Sequence, residues 1–262
     1  MRIRQLLAIN ILLAAATGQH ASATTADDRI LVIGALHALH EREPGFDYHG
    51  LRAAIEAFAP NVMVLEVRPD ELAARKPTPG RPEYPAVIWP LLGRSDIQTV
   101  AMEPGGATFD AIAGAAGAAF AALRERDPAA AAALTRLESE ADAILLTHWQ
   151  SAVEVHDGLT ARIVGGVQAA QFALAGPEFV AAQQDWDQYM AKQAVATVQA
   201  HPGKRVMIVG SYKNHALLEK CIGKAAPQRL IPAATWFGAA RAATIGPAEP
   251  GNPHSRQNRK QQ

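Results

Sequence analysis

The chain has 262 residues and 49% hydrophobic content, enough to bury a sizeable core in one large or two small domains. Its 25 Lys and Arg balance its 25 Asp and Glu, so no basic field points to nucleic acid or an acidic membrane surface. The expected partner is a small molecule, a peptide or an ion. Cys221 is the single cysteine, which excludes an internal disulfide and leaves no cysteine after the leader to accept a lipid.

The first residues carry Arg2 and Arg4, then an apolar stretch from Leu6 to Ala16 broken only by Asn10, then Ala21-Ser22-Ala23. This order predicts a secretory signal over 1–23, cleavage after Ala23, and a periplasmic or secreted protein. The stretch is shorter than the ~20 apolar residues a membrane span needs, so export without a stable anchor is expected.

Arg29 to Gly34 is a continuous apolar run ending on a glycine and reads as a buried strand. A helix over 48–58 places Leu51, Ile55 and Phe58 on one face, and Val62 to Glu66 is a second strand, giving a right-handed βαβ unit. Breakers at Pro77, Pro79, Gly80, Pro82 and Pro85 make 68–85 a loop with at most a short helix. A helix over 86–92 and a strand over 97–102 complete a second unit.

From Thr108 to about Gln150 the chain is alanine-rich and helical, broken at Asp127-Pro128, where the aspartate can cap the next helix. Such low residue diversity suggests a helical hairpin covering a site. Residues 151–176 are mixed in pattern, with Gly165-Gly166 as the expected turn. A helix over 177–200 carries Phe179, Trp186, Met190 and Ala194 at core spacing. Pro202-Gly203 stops it before a strand at 205–209, a helix over 214–222 and a short apolar piece at Leu230-Ile231. The fold expected is α/β: a mainly parallel sheet of βαβ units flanked by helices, forming one domain over 24–245 with a helical insertion over about 107–200. Residues 246–262 lack the apolar content to order themselves.

The strand ends carry the polar residues. Gly34 is followed by His37 and Gly210 by His215, while two further apolar runs end on Glu66 and Glu103. Ligands of parallel sheets sit at the carboxyl ends of the strands, so these four side chains are expected to face one crevice. A glycine there tolerates positive φ and close approach of a ligand, which makes Gly34 and Gly210 candidates for cofactor contact. Buried carboxylates must be paired, metal-bound or open to a cleft. An ion pair of Glu66 with Arg68 is one solution, and a divalent cation or a catalytic water is another.

Two histidines and two carboxylates suit manganese, zinc or cobalt, with His37, Glu66 and His215 as ligands, or acid/base hydrolysis with Glu103 as an orienting group. Tyr212 and Lys213 are candidate donors to an oxyanion, and Asn214 a candidate helix cap. His40 beside Glu41 reads as a solvated loop residue, and His148 as a partly buried helix residue. No Gly-x-Ser-x-Gly elbow, Walker loop or Gly-x-Gly-x-x-Gly fingerprint occurs, which argues against serine hydrolases, kinases and Rossmann oxidoreductases.

From about Arg29 to Ile222 the order strand-Gly-x-x-His, strand-Glu, helical middle, then Lys-Arg-Val-Met-Ile-Val-Gly with a downstream histidine resembles the TraB/TIKI and erythromycin-esterase/ChaN-like superfamily. In TIKI-type metal-dependent proteases the pattern is two Gly-x-x-His motifs and a glutamate, which fall here on Gly34 and His37, on Glu66, and on Gly210 with His215. Four residues rather than two separate the second pair. The resemblance implies a peptidase or esterase, with haem or iron binding without turnover, as in ChaN-like proteins, or an inactive scaffold as alternatives.

Overall fold

The computed structural model describes residues 28–76 and 79–245, so the expected leader over 1–23 and the tail over 246–262 lie outside the described residues. Five strands form one parallel sheet: β1 (Ile30–Ala35), β2 (Val62–Leu65), β3 (Gln98–Ala101), β4 (Val206–Ser211) and β5 (Leu230–Ile231). Their order is β3-β2-β4-β1-β5. Every residue of β1, β2 and β4 is buried. That burial on both faces is why these runs are apolar throughout instead of alternating. The edges are blunted: β3 begins on an exposed Gln98, and β5 has only two residues.

Helices cover both faces. In chain order they are α1 (Tyr48–Phe58), α2 (Pro69–Ala74), α3 (Trp89–Leu92), α4 (Gly106–Arg126), α5 (Pro128–His148), α6 (Ala152–Val155), α7 (Gly158–Ala175), α8 (Pro177–Ala200), α9 (Tyr212–Ala225) and α10 (Ala233–Ile245). One layer sets Leu51, Ile55 and Phe58 of α1 and Phe237 of α10 against Leu31, Ile33, Met63 and Met207. The other sets Met190, Ala194 and Val198 of α8 and Leu218 and Ile222 of α9 against Val32, Val64 and Ile208. Alternate residues of each strand therefore feed opposite cores.

The insertion α4–α8 separates β3 from β4 in sequence, and Asp127 caps α5 by accepting from the Ala130 amide. By length and composition α4 could cross a membrane; here it packs on α5 and α8. One local expectation changes. Gly165-Gly166 is no turn, because α7 runs straight through it with Asp157 capping the Leu159 and Thr160 amides. Two interior glycines cost about 1 kcal/mol each relative to alanine, and packing among α5, α8 and α4 outweighs that. The segment 68–85 carries the short helix expected of it, α2, and its last residues enter a π turn over Tyr84–Ile88.

β2 leads outward to β3, whereas β4 leads across β1 to β5, so the connections after these neighbouring strands leave in opposite directions. A crevice opens at the carboxyl ends of strands at such a reversal. Gly34 and Gly210 make room for helix α9 there. Gly34 is not among the positive-φ glycines. A Cβ on it would stand 2.8 Å from the Tyr212 Cα, whereas one on Gly210 would meet the movable Leu218 methyl at 2.8 Å and Glu66 Oε2 at 3.1 Å. Replacing Gly34 with alanine is expected to destabilise the fold by about 1–3 kcal/mol, more than Gly210→Ala, as read by urea denaturation.

Candidate functional site

Glu66 leaves the end of β2 only 5% exposed. The Ser211 amide donates to its Oε2, and Asn214 Nδ2 reaches Oε1 at 3.3 Å. Both donors belong to the start of α9, whose N-terminal dipole favours a carboxylate. The helix is capped by the Ser211 hydroxyl, which accepts from the Lys213 amide, so Asn214 is released from the capping role expected of it.

The arginine beside Glu66 is Arg81. Arg68 instead pairs with Asp70 and Glu71 in the first turn of α2. Arg81 donates from Nη1 to the Glu66 carbonyl and from Nη2 to the Glu103 carboxylate, and stands 3.6 Å from Glu66 Oε1. Tyr84 adds a hydrogen bond to the same carbonyl at 2.8 Å. Burial alone would weaken the guanidinium, but the bond to Glu103 and the charges of both glutamates outweigh it and hold Arg81 firmly protonated. Burial, with Glu66 nearby, pushes the Glu103 carboxyl above its usual range against the pull of Arg81.

Above Glu66 lies a cleft of about 540 Å³. Its walls are mostly apolar, from Ile112 and Phe120 on α4, Val164 on α7 and Trp186 on α8, and Asp142, Lys213 and Asn214 supply polar groups. The helical hairpin thus contributes walls to this cleft. Tyr212 donates its hydroxyl to Asp142 at 2.6 Å. Burial and then Asp142 push that hydroxyl's ionisation upward.

His37 sits elsewhere on the sheet edge. Its backbone is left-handed, at φ 53°, at the start of a 3-10 turn over His37–Glu41. A left-handed histidine costs roughly 1–2 kcal/mol. Its ring bonds through Nδ1 to Glu83 Oε1 at 2.8 Å, and its side chain is 25% exposed whereas that of Glu83 is 1% exposed.

His215 is buried in a different environment. Its ring stands 4.7 Å from that of His156, its Nε2 finds no hydrogen-bond partner among the described residues, and Glu219 Oε1 is 3.9 Å away. Burial lowers its basicity, with Glu219 opposing. His40, expected to be a solvated loop residue, is instead a deeply buried structural group, and so is His156. His156 Nε2 accepts from the Gly34 amide and its Nδ1 faces the Ala152 carbonyl at 2.6 Å. His40 repeats this with the Leu36 amide and the Phe46 carbonyl. Both rings are thereby fixed as neutral Nδ1–H tautomers that satisfy amides where β1 ends.

Among the described residues no three His, Cys, Asp or Glu side chains group as a metal site. His37 is bonded to Glu83, Glu66 to the start of α9 and His215 lies against His156, and the cation beside Glu66 is already Arg81, so this trio does not fit a divalent metal. Nor does the cleft fit haem. Its described lining has no histidine, methionine or cysteine, and Tyr212 is held away from its ionised form. Residues missed by sequence reasoning are Arg81 and Glu83, which come from the proline-rich segment, and Asp142 on α5.

Comparison of the chain with family models, curated proteins and solved structures finds no match.

Burial first, and the neighbouring His215 for His156, hold the imidazoles of His40 and His156 below the ordinary value of 6.5. An unfolded chain takes up protons near that value while the folded one does not, so stability is full above it and falls as the solution is acidified. The urea midpoint is expected to drop between about pH 6.5 and pH 5, and His156→Gln to flatten that drop.

Proposed function

We propose that the protein is an exported hydrolase that cleaves an ester or amide bond of a small, largely apolar substrate or short peptide, with Glu66 as its base. The reading is carried by one observation: a carboxylate at the end of an otherwise apolar strand forms the floor of an apolar cleft at the sheet's point of reversal. The resemblance to the TraB/TIKI and erythromycin-esterase/ChaN-like superfamily agrees with hydrolysis, and the set of donors favours a route without metal.

In this mechanism Glu66 accepts a proton from water as the oxygen attacks the carbonyl carbon. The Ser211 amide and Asn214 hold the carboxylate in one orientation, so little rearrangement is needed at the moment of transfer. Lys213 brings positive charge toward the developing oxyanion. Collapse of the tetrahedral species breaks the bond to the leaving oxygen or nitrogen, which takes a proton, and an acid and an alcohol or amine depart. Apolar walls keep other water away from the base.

Glu66→Gln keeps the size of the side chain and removes its basicity. On a panel of medium-chain esters and short peptides the variant is expected to lose on the order of 10²–10⁴-fold in kcat/KM, with circular dichroism unchanged. Undiminished hydrolysis by the variant would refute the role of Glu66. Chelator treatment, and addition of manganese, zinc or cobalt, are expected to leave both hydrolysis and Tm unchanged.

A further inference from the structure

The cleft above Glu66 runs lengthwise between four helices. Its lining passes from Ile112 to Phe120 on α4 and from Ile163 to Gln171 on α7, a rise of about 12 Å along each. On α5 and α8, which run the opposite way, it passes from Leu145 back to Glu138 and from Trp186 back to Phe179, about 10 Å along each. The near end is the sheet end: Leu145, Ile163 and Trp186 pack with the cores of the sheet, and Glu66 with residues 211–214 forms the floor. Phe120 and Phe179 belong instead to a separate apolar cluster at the far end. Two contacts tie the helices together there. The Phe120 and Phe179 rings meet edge-on with centroids 4.7 Å apart, and Gln171 Nε2 donates to Glu138 Oε1. All four helices are joined at this level, which makes an end wall.

Three polar pairs on the walls are already mated. Tyr212 donates to Asp142 at 2.6 Å, Gln171 to Glu138, and Gln183 to Asp187 at 2.7 Å. A sugar or a polar side chain of a peptide would need donors and acceptors that these pairs have used, whereas a hydrocarbon chain needs none. A fully extended chain advances about 1.2 Å per bond, so the shaft holds a straight chain of about eight to ten carbons. Beyond the end wall lies a second cavity, of about 580 Å³, between the outer turns of α4 and α5, and Phe120, Glu138 and Gln171 line it too. These three side chains are the partition between the two spaces.

We propose that the substrate is an ester of a medium-length, straight-chain fatty acid, its acyl chain lying along the four helices and its carbonyl at Glu66, and that Phe120 with the Glu138–Gln171 pair sets the length accepted. The assignment rests on the reading of Glu66 as base. The oxygen of water bonds to the acyl carbon, the bond to the leaving oxygen breaks, and the proton that Glu66 took from water passes to the departing alcohol. One water is consumed, and one fatty acid and one alcohol form.

Burying one further methylene favours the bound chain by about 4-fold. With p-nitrophenyl esters from acetyl to hexadecanoyl, kcat/KM of the full-length protein is expected to climb by up to about 4-fold per methylene to an optimum at octanoyl or decanoyl, and to fall beyond it. Phe120→Ala is expected to move the optimum to dodecanoyl or longer. Ala116→Phe, which fills the shaft one turn nearer the floor, is expected to move it to hexanoyl or shorter. Hydrolysis with a profile flat in chain length, or with an optimum that neither variant moves, overturns the proposal and leaves Glu66 as base. A length dependence found only in alkyl acetates, where the chain is on the leaving alcohol, overturns the acyl assignment.

Binding without turnover separates the shaft from the role of Glu66. Linear methyl ketones of the same lengths keep the carbonyl and offer no bond to hydrolyse. Calorimetric titration of the unmodified protein is expected to show affinity rising about 4-fold per methylene to about ten carbons and levelling beyond. That rise in a protein that hydrolyses no ester overturns Glu66 as base and supports the shaft as an acyl-chain site. Affinity independent of chain length overturns the shaft.

Discussion

One guanidinium organises the carboxyl edge of this sheet. Arg81 reaches the backbone of Glu66 at the end of β2 and the carboxylate of Glu103 beyond the end of β3, and so fixes the two strand ends relative to each other. Two carboxylates share one cation there, and the sharing is unequal. Glu103, 1% exposed, takes the direct contact, whereas the carboxylate of Glu66 remains farther off at 3.6 Å and keeps its oxygens turned to the start of α9 and the cleft.

The histidines divide by the way their nitrogens are used. His40 and His156 spend both ring nitrogens on backbone groups, closing the hydrogen-bond account of the turn that follows β1. His156 also stacks on Phe237, so it serves the core as a flat ring as much as a polar group. His37 alone among these combines a carboxylate partner with a solvent-facing edge and a left-handed backbone. Position in sequence does not reveal this division, since His37 and His40 are three residues apart.

Much of the fold was legible because its signals are local. Continuous apolar runs bounded by glycine or proline marked β1, β2 and β4, and Asp127-Pro128 marked the break in the helical hairpin with its cap. Helix α8 begins at Pro177 and ends at Ala200 as its periodicity indicated. Gly165-Gly166 misled because low intrinsic propensity yields to packing within a bundle. At the site, sequence located Glu66 and the cleft-wall residues after Gly210, because strand ends are readable. It could not pair them. Arg81 and Glu83 come from a segment whose prolines conceal a clamp, and which glutamate meets which arginine depends on how β2 and β3 lie side by side.

Strand β4 lies between β1 and β2 and pairs with both, yet it follows them in the chain by the whole length of α4–α8. Until that strand arrives, the two earlier strands have no direct ladder with each other, and each presents an unsatisfied edge of amides and carbonyls. Closing a long intervening segment adds only slowly to the entropic penalty, but it must be met before the non-local pairings reward it. The middle of the sheet is therefore closed by a strand from far along the chain, and a chain truncated before Val206 lacks the strand that joins its two halves.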